Sequence, residues 1–75
     1  MENELLIFAR NIAWLKEKNG LSNRQLAKRI RLGENSVRKL LRSDIPPRMS
    51  AEVIYWASKE FGYRPSELFA PLYKK

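Results

Sequence analysis

Residues 21–43 read LSNRQLAKRIRLGENSVRKLLRS, and this stretch decides the fold because it holds two short helix patterns with a brief interruption between them. Ser22 is a favoured N-cap residue, and Gln25 stands three positions later, where its amide can bond back to the cap backbone in a capping box. Leu21 can pack against Leu26 across the same cap. Three features therefore predict that a helix begins here.

The second pattern follows Gly33, which we expect to act as a hinge or as the N-cap of a helix that starts at Glu34. Its apolar residues share one side and are predicted to point inward: Val37, Leu40 and Leu41. With about 100° of rotation per residue, its polar residues lie on the opposite side: Asn35, Arg38, Lys39 and Arg42. The sequence therefore predicts a short helix with an outward polar face.

The residues before this stretch also have the spacing of an amphipathic helix. Apolar residues recur every three or four positions: Leu5, Phe8, Ile12 and Leu15. This spacing predicts a first helix to about Lys18, which Asn19-Gly20 ends because glycine accepts the backbone conformation just past a helix.

Beyond residue 43, Ser43-Asp44 and Pro46-Pro47 rule out further helix. A fourth helix is predicted from a Ser50 cap to Gly62, with an inward side made of Val53, Ile54, Ala57 and Phe61. Pro65 opens a short fifth helix that Pro71 ends, and residues 72–75 are expected to form a tail. The sequence thus predicts an all-α fold, a compact single domain of five helices over residues 1–75.

Some chemistries are excluded by composition, because the chain has no cysteine and no histidine. Disulfides, thiolate chemistry, zinc-type ligation and the commonest general base are therefore unavailable. The carboxylates Glu52, Glu60 and Glu67 are scattered singly. We expect no catalytic activity, cofactor, metal or small-molecule ligand. Because no leader pattern and no run of roughly 18 apolar residues occurs, we expect a cytoplasmic protein without a membrane span.

Positive charge is concentrated in one region. The net charge is +7, and residues 22–48 hold eight basic and two acidic side chains, which leaves the two flanks nearly neutral. Such an excess at one place on a small domain suits a polyanion, since each phosphate contact releases counterions. The sequence therefore favours a nucleic-acid or acidic partner.

With Leu21-Ser22, Leu26-Ala27 and Val37, the segment resembles the Cro and repressor (XRE-like) family of phage and bacterial helix-turn-helix regulators. The helix before this segment also looks like that family, as do Phe61-Gly62 and Ser66-Glu67-Leu68-Phe69 after it. The resemblance implies a DNA-binding helix-turn-helix at about residues 22–42. Two positions depart from the family pattern: Arg31 stands where the first turn residue is usually glycine, and Gly33 where a serine or threonine often caps the next helix.

The resemblance also implies site residues. The third helix would enter the major groove of double-stranded DNA with a set of base-reading residues: Glu34, Asn35, Ser36, Arg38 and Lys39. Asn can pair with adenine, Lys with guanine and Glu with cytosine, while Arg38 could read a base or hold a phosphate. Phosphate contacts are expected at the start of the second helix and, more weakly, at flanking positions: Ser22, Asn23, Arg24, Arg10, Asn11, Arg42, Ser43 and Arg48.

Family members usually bind paired half-sites as twofold dimers, so the resemblance implies a homodimer on an operator, with recognition helices about 34 Å apart. C-terminal apolar residues offer either a dimer surface or core packing: Leu68, Phe69, Leu72 and Tyr73. The aromatic residues Trp14, Tyr55 and Trp56 are expected to be buried or half-buried by packing. Such a regulator would work in the cytoplasm, on the nucleoid when bound to DNA.

Other functions stay open. The basic face could serve an antitoxin-like or adaptor module that binds an acidic protein, and such a module would not prefer one DNA sequence over another. RNA binding is disfavoured because no strand-borne aromatic pair is visible. An enzyme is the weakest alternative.

Overall fold

The computed structural model describes residues 4–42 and 51–74 of the chain. The described elements are α1 (Glu4–Lys18), α2 (Asn23–Ile30), α3 (Glu34–Leu41), α4 (Ala51–Phe61), α5 (Pro65–Leu68) and a 3₁₀ helix, Leu72–Lys74. No strand occurs in these two ranges, so the prediction of an all-α chain with five α-helices is confirmed for them. The predicted helix break at Pro46-Pro47 and the Ser50 cap lie outside the described residues. None of the described helices is long and apolar enough to span a bilayer.

The core forms where the apolar sides of the helices meet. Helix α2 packs against both α3 and α4, while α1 packs against α3, α5 and the 3₁₀ helix. Of the side chains predicted to point inward from α1, α3 and α4, seven are buried: Phe8, Ile12, Leu15, Val37, Leu40, Val53 and Ala57. Leu5 is only partly buried. The apolar side of α2 is also buried, through Leu26, Ala27 and Ile30. Leu41, Ile54 and Phe61 are partly buried against this core. Since full burial of a large apolar side chain contributes about 1.5–3 kcal/mol, this core is the main source of stability.

The start of α2 agrees with the sequence prediction. The Oγ of Ser22 accepts the N–H of Gln25 at 3.1 Å, and the Oε1 of Gln25 accepts the N–H of Ser22 at 2.9 Å. Leu21 and Leu26 are both buried. Gly33 is the N-cap of α3, with an extended backbone and no side-chain cap bond. Helix α2 thus begins with a complete capping box, whereas α3 begins without a side-chain cap.

Three helices end in the same backbone arrangement, a left-handed residue after the last turn. Glycines take this position after α1 and α4, with φ of 63° at Gly20 and 73° at Gly62, but after α2 the residue is Arg31, with φ of 56°. In each case the following residue donates its N–H to the carbonyl five positions back, at 2.9, 3.1 and 3.0 Å for α1, α4 and α2. A left-handed backbone costs a residue with a Cβ about 1–2 kcal/mol, so Arg31 holds a conformation that glycine would adopt freely.

Asn11 joins α1 to the C-terminal segment. Its side chain is fully buried, and its Nδ2 donates to the carbonyls of Leu68 at 2.6 Å and Ala70 at 2.8 Å. Its Oδ1 accepts the N–H of Leu72 at 2.8 Å. The prediction that Asn11 contacts a phosphate is therefore wrong, because the amide is enclosed and already bonded.

The C-terminal residues belong to the fold, and the prediction of a tail is wrong for residues 72–74. Leu68 and Leu72 are buried, Tyr73 is partly buried, and the ring of Phe69 stacks on Phe8 with 5.5 Å between centroids. Core packing therefore accounts for Leu68 and Leu72, which have almost no exposed area to offer a second copy. Spacing along the sequence could not reveal this, because the segment is held by a side chain of α1.

We predict that Asn11→Ala lowers the free energy of unfolding by about 3 kcal/mol, since each buried group left without a partner costs about 1–3 kcal/mol. Urea unfolding measures this loss. Asn19→Ala is the matched control, because its exposed side chain makes one bond to the Leu15 carbonyl at 2.8 Å, and it should cost less than about 1 kcal/mol. Equal effects of the two substitutions would contradict the structural role of Asn11.

Substitution at the N-cap of α3 should stabilise the protein. At Gly33 φ is −69° and a Cβ would meet no atom within 4 Å, so a serine fits here without strain. Gly33→Ser adds a hydroxyl that can cap α3, and it restricts the unfolded chain. It should therefore raise the free energy of unfolding by about 0.5–1 kcal/mol. Gly20→Ser has equal space but a φ of 63°, so it should be destabilising. Thermal unfolding of both variants checks the opposite signs.

Candidate nucleic-acid interface

Helix α3 carries all five predicted base-reading residues. Each of them is exposed: Glu34, Asn35, Ser36, Arg38 and Lys39. The opposite side of the helix is fixed by Val37 and Leu40, which are 0% and 2% exposed. Because the two anchors lie three residues apart on one side, they hold this eight-residue helix against the core while its polar side chains face solvent.

A concavity connects this face to the first turn of α2. Six residues line it: Asn23, Asn35, Arg38, Lys39, Leu41 and Arg42. Three of these side chains are cationic and none is acidic. The partly buried Leu41, which the sequence assigned to the inward side, is the apolar lining residue. The fold thus brings Asn23 of α2 beside the polar face of α3, and the arrangement suits an anion that lies across both helices.

The first turn of α2 adds amide dipoles to the same region. Leu26 is the first residue of α2 whose N–H bonds to a carbonyl four positions back, that of Ser22 at 2.9 Å. The N–H groups of Asn23 and Arg24 precede it, in the first turn, where a helix offers no carbonyl partner. The hydroxyl of Ser22 accepts from Gln25 and keeps its own proton to donate. Arg24 is exposed beside them. The positive end of the helix dipole and these donors favour an anion here.

Two other basic residues of the region 22–48 contact helix α4. The Nη1 of Arg29 lies 2.9 Å from the Oε1 of Glu60, and the guanidinium of Arg31 lies 3.9 Å above the ring centre of Trp56. Their positive charges therefore face α4 and do not join the concavity. The sequence shows one basic region, but the fold divides it between two surfaces.

The remaining predicted phosphate contacts have different outcomes. Arg42 is exposed and lines the concavity. Arg10 is exposed on α1, with its guanidinium 6.0 Å from the ring centre of Tyr73, and does not line the concavity. Asn11 is buried, as described above. Ser43 and Arg48 lie outside the described residues.

Aromatic residues lie away from the α3 face. Tyr55 is 50% exposed on α4, and its ring meets that of Trp56 edge-on at 5.2 Å. Trp56 and Trp14 are partly buried, as predicted, and the Nζ of Lys18 lies 4.7 Å from the ring centre of Trp14. The Nε1 of Trp56 is buried without a hydrogen-bond partner among the described residues. None of these three aromatic residues lines the concavity.

Among residues 4–42 and 51–74, no group of three or more His, Cys, Asp or Glu side chains could hold a metal ion. The side chains of the α3 face present hydrogen-bond donors, acceptors and positive charge. This face can bind an anionic surface and distinguish donor and acceptor patterns.

Comparison with known proteins returned no similar protein: no family model matches the chain, and neither a curated protein nor a solved structure is significantly similar to it.

Proposed function

We propose that the chain is a sequence-specific double-stranded DNA-binding transcriptional regulator, in which α2, residues 31–33 and α3 act as a helix-turn-helix of the Cro and repressor kind. The observation that carries this proposal is the face of α3. It is polar and exposed, its helix is anchored in the core by two buried residues, and it shares a cationic concavity with the first turn of α2. A regulator needs both parts, one to read bases and one to hold the backbone.

The dimensions of α3 fit the major groove. An α-helix with its side chains is about 10–12 Å in diameter, and the major groove of B-DNA is about 12 Å wide and admits one helix. In this orientation Asn35 can bond both edge groups of adenine, Lys39 and Arg38 can donate to guanine, and Glu34 can accept from cytosine. Val37 and Leu40 stay in the core and keep the helix in register.

Contacts to the DNA backbone are proposed for the residues around the first turn of α2. A phosphate in the concavity would meet Asn23 and Arg42, while Arg24 and the amides of the first turn approach a phosphate from the α2 side. These contacts carry no base information, but they fix how α3 enters the groove. Arg10, which is exposed on α1 and does not line the concavity, is proposed as an outer phosphate contact.

A homodimer on an operator is part of the proposal. The chain measures 30 × 25 × 20 Å, a size comparable to the spacing of about 34 Å that two recognition helices need to meet successive turns of DNA. Phe69 and Tyr73 retain some exposure, whereas Leu68 and Leu72 do not. Of the four C-terminal residues, only Phe69 and Tyr73 therefore have area to offer a dimer surface.

The first test is selection of bound duplexes from a random pool, followed by binding of the selected and a scrambled duplex at equal salt. We expect the selected duplex to bind about 10³-fold or more tightly than the scrambled one. An acidic-protein-binding module would bind both duplexes equally, through charge alone, and that result would contradict the proposal.

Substitutions separate base reading from backbone binding. Asn35→Ala and Lys39→Ala should each cost about 1–3 kcal/mol of discrimination at one base pair, whereas Arg24→Ala should weaken all duplexes and reduce the salt slope by about one. Lys59→Ala is the control, because it removes an exposed lysine from α4, away from the concavity, and should leave base preference unchanged. Equal, sequence-independent losses in Asn35→Ala, Lys39→Ala and Arg24→Ala would refute the assignment of the two roles.

A further inference from the structure

The end of α2 is unusual among the helix ends of this chain. Gly20 and Gly62 form the equivalent left-handed positions after α1 and α4, and neither has a side chain to contact anything. Arg31 adopts the same backbone conformation with φ of 56° and ψ of 45°, in spite of its Cβ. A residue in a sparsely populated conformation persists when its surroundings hold it there. Contacts of the Arg31 side chain can therefore stabilise this backbone conformation.

The guanidinium of Arg31 stacks over Trp56 of α4, 3.9 Å from the ring centre. Trp56 is partly buried, and its ring also meets that of Tyr55 edge-on at 5.2 Å. A planar guanidinium on a fixed aromatic ring has a defined orientation, which a lysine in the same place would not have. The stack therefore ties the left-handed residue to a different helix.

Besides this stack, the junction between α2 and α3 is held by the hydrogen bond from the Leu32 N–H to the Ala27 carbonyl at 3.0 Å and by core packing. Leu32 packs against the core, and Gly33 has neither a side chain nor a cap bond. The ion pair of Arg29 with Glu60 also links α2 to α4, but its side chains are 48% and 36% exposed, and exposed pairs are weak. The backbone angles at Arg31 set the direction in which the chain enters α3 only three residues later.

We propose that Arg31 is a positioning residue for the outward face of α3. Its stack on Trp56 fixes the left-handed junction, so α3 keeps one orientation relative to the first turn of α2. Arg31 acts through the junction and contacts no base. This inference rests on the proposed function, because the face that Arg31 positions is the proposed DNA-reading face.

The test compares Arg31→Gly and Arg31→Lys. Glycine removes the backbone strain together with the stack, and lysine keeps the positive charge without the planar group. Both variants should lose about tenfold in discrimination between the selected duplex and a single-base variant of it, the scale of one good base contact. Arg31→Gly should show an unfolding midpoint in urea equal to or above that of the unmodified chain. Trp56→Leu should reproduce the loss of discrimination.

Arg29→Gln is the matched control, because it breaks the exposed link between α2 and α4 and leaves the stack intact. It should preserve discrimination. A fall in stability with unchanged discrimination in Arg31→Gly and Arg31→Lys would show a merely structural role and would overturn the proposal. Equal losses of discrimination in Arg29→Gln and Arg31→Lys would also overturn it, by assigning the effect to general contact with α4.

A measurement on the free protein separates this inference from the proposed function. Residual dipolar couplings of the backbone N–H groups report the orientation of α3 relative to α2 without any DNA. We expect them to change in Arg31→Gly and Arg31→Lys and to stay the same in Arg29→Gln. If the unmodified chain prefers no duplex but these couplings change, the proposed function fails and the positioning role stands. Unchanged couplings in both Arg31 variants would overturn the positioning role.

Discussion

The short length of α2 and α3 is the constraint on which the rest of the structure depends. Each has eight residues, and isolated helices below about 12–15 residues are marginal in water. Both therefore exist because their inward residues are buried in a shared core, Leu26 and Ile30 from α2 with Val37 and Leu40 from α3. Burial takes up one side of each helix and leaves the other to solvent. The polar face of α3 is a direct consequence of this division.

In short helices most backbone N–H and C=O groups lie in the first or last turn, where they lack partners within the helix. The junctions between the helices must therefore supply hydrogen bonds to these groups. A capping box satisfies the start of α2, and left-handed residues satisfy the ends of α1, α2 and α4. Farther away, Asn11 supplies the hydrogen bonds that the C-terminal backbone cannot make within a helix. These polar contacts specify how the helices join, while the core supplies the free energy.

The fold divides basic residues of the region 22–48 between two surfaces. Basic residues concentrate in one region of the chain, but α4 takes Arg29 into an ion pair and Arg31 onto an aromatic ring. What is left beside α3 is a smaller cationic group around Arg38, Lys39 and Arg42. This group is concave and lies next to a helix start, which is the arrangement on which the proposed phosphate contacts rest.

The sequence alone determined the features that depend on near neighbours. The Ser22 capping box, the inward side of each helix and the outward position of Asn35 and Lys39 all follow from spacings of three or four residues, which helical geometry fixes. The tertiary structure decided what depends on distant residues. Asn11 looks like an ordinary polar residue of α1 until the C-terminal segment, 57 to 61 residues away, supplies its partners. Arg31 looks like a poor turn residue until Trp56 of α4 lies beneath it. No local spacing encodes such contacts, because they form only when the shared core brings separate helices together.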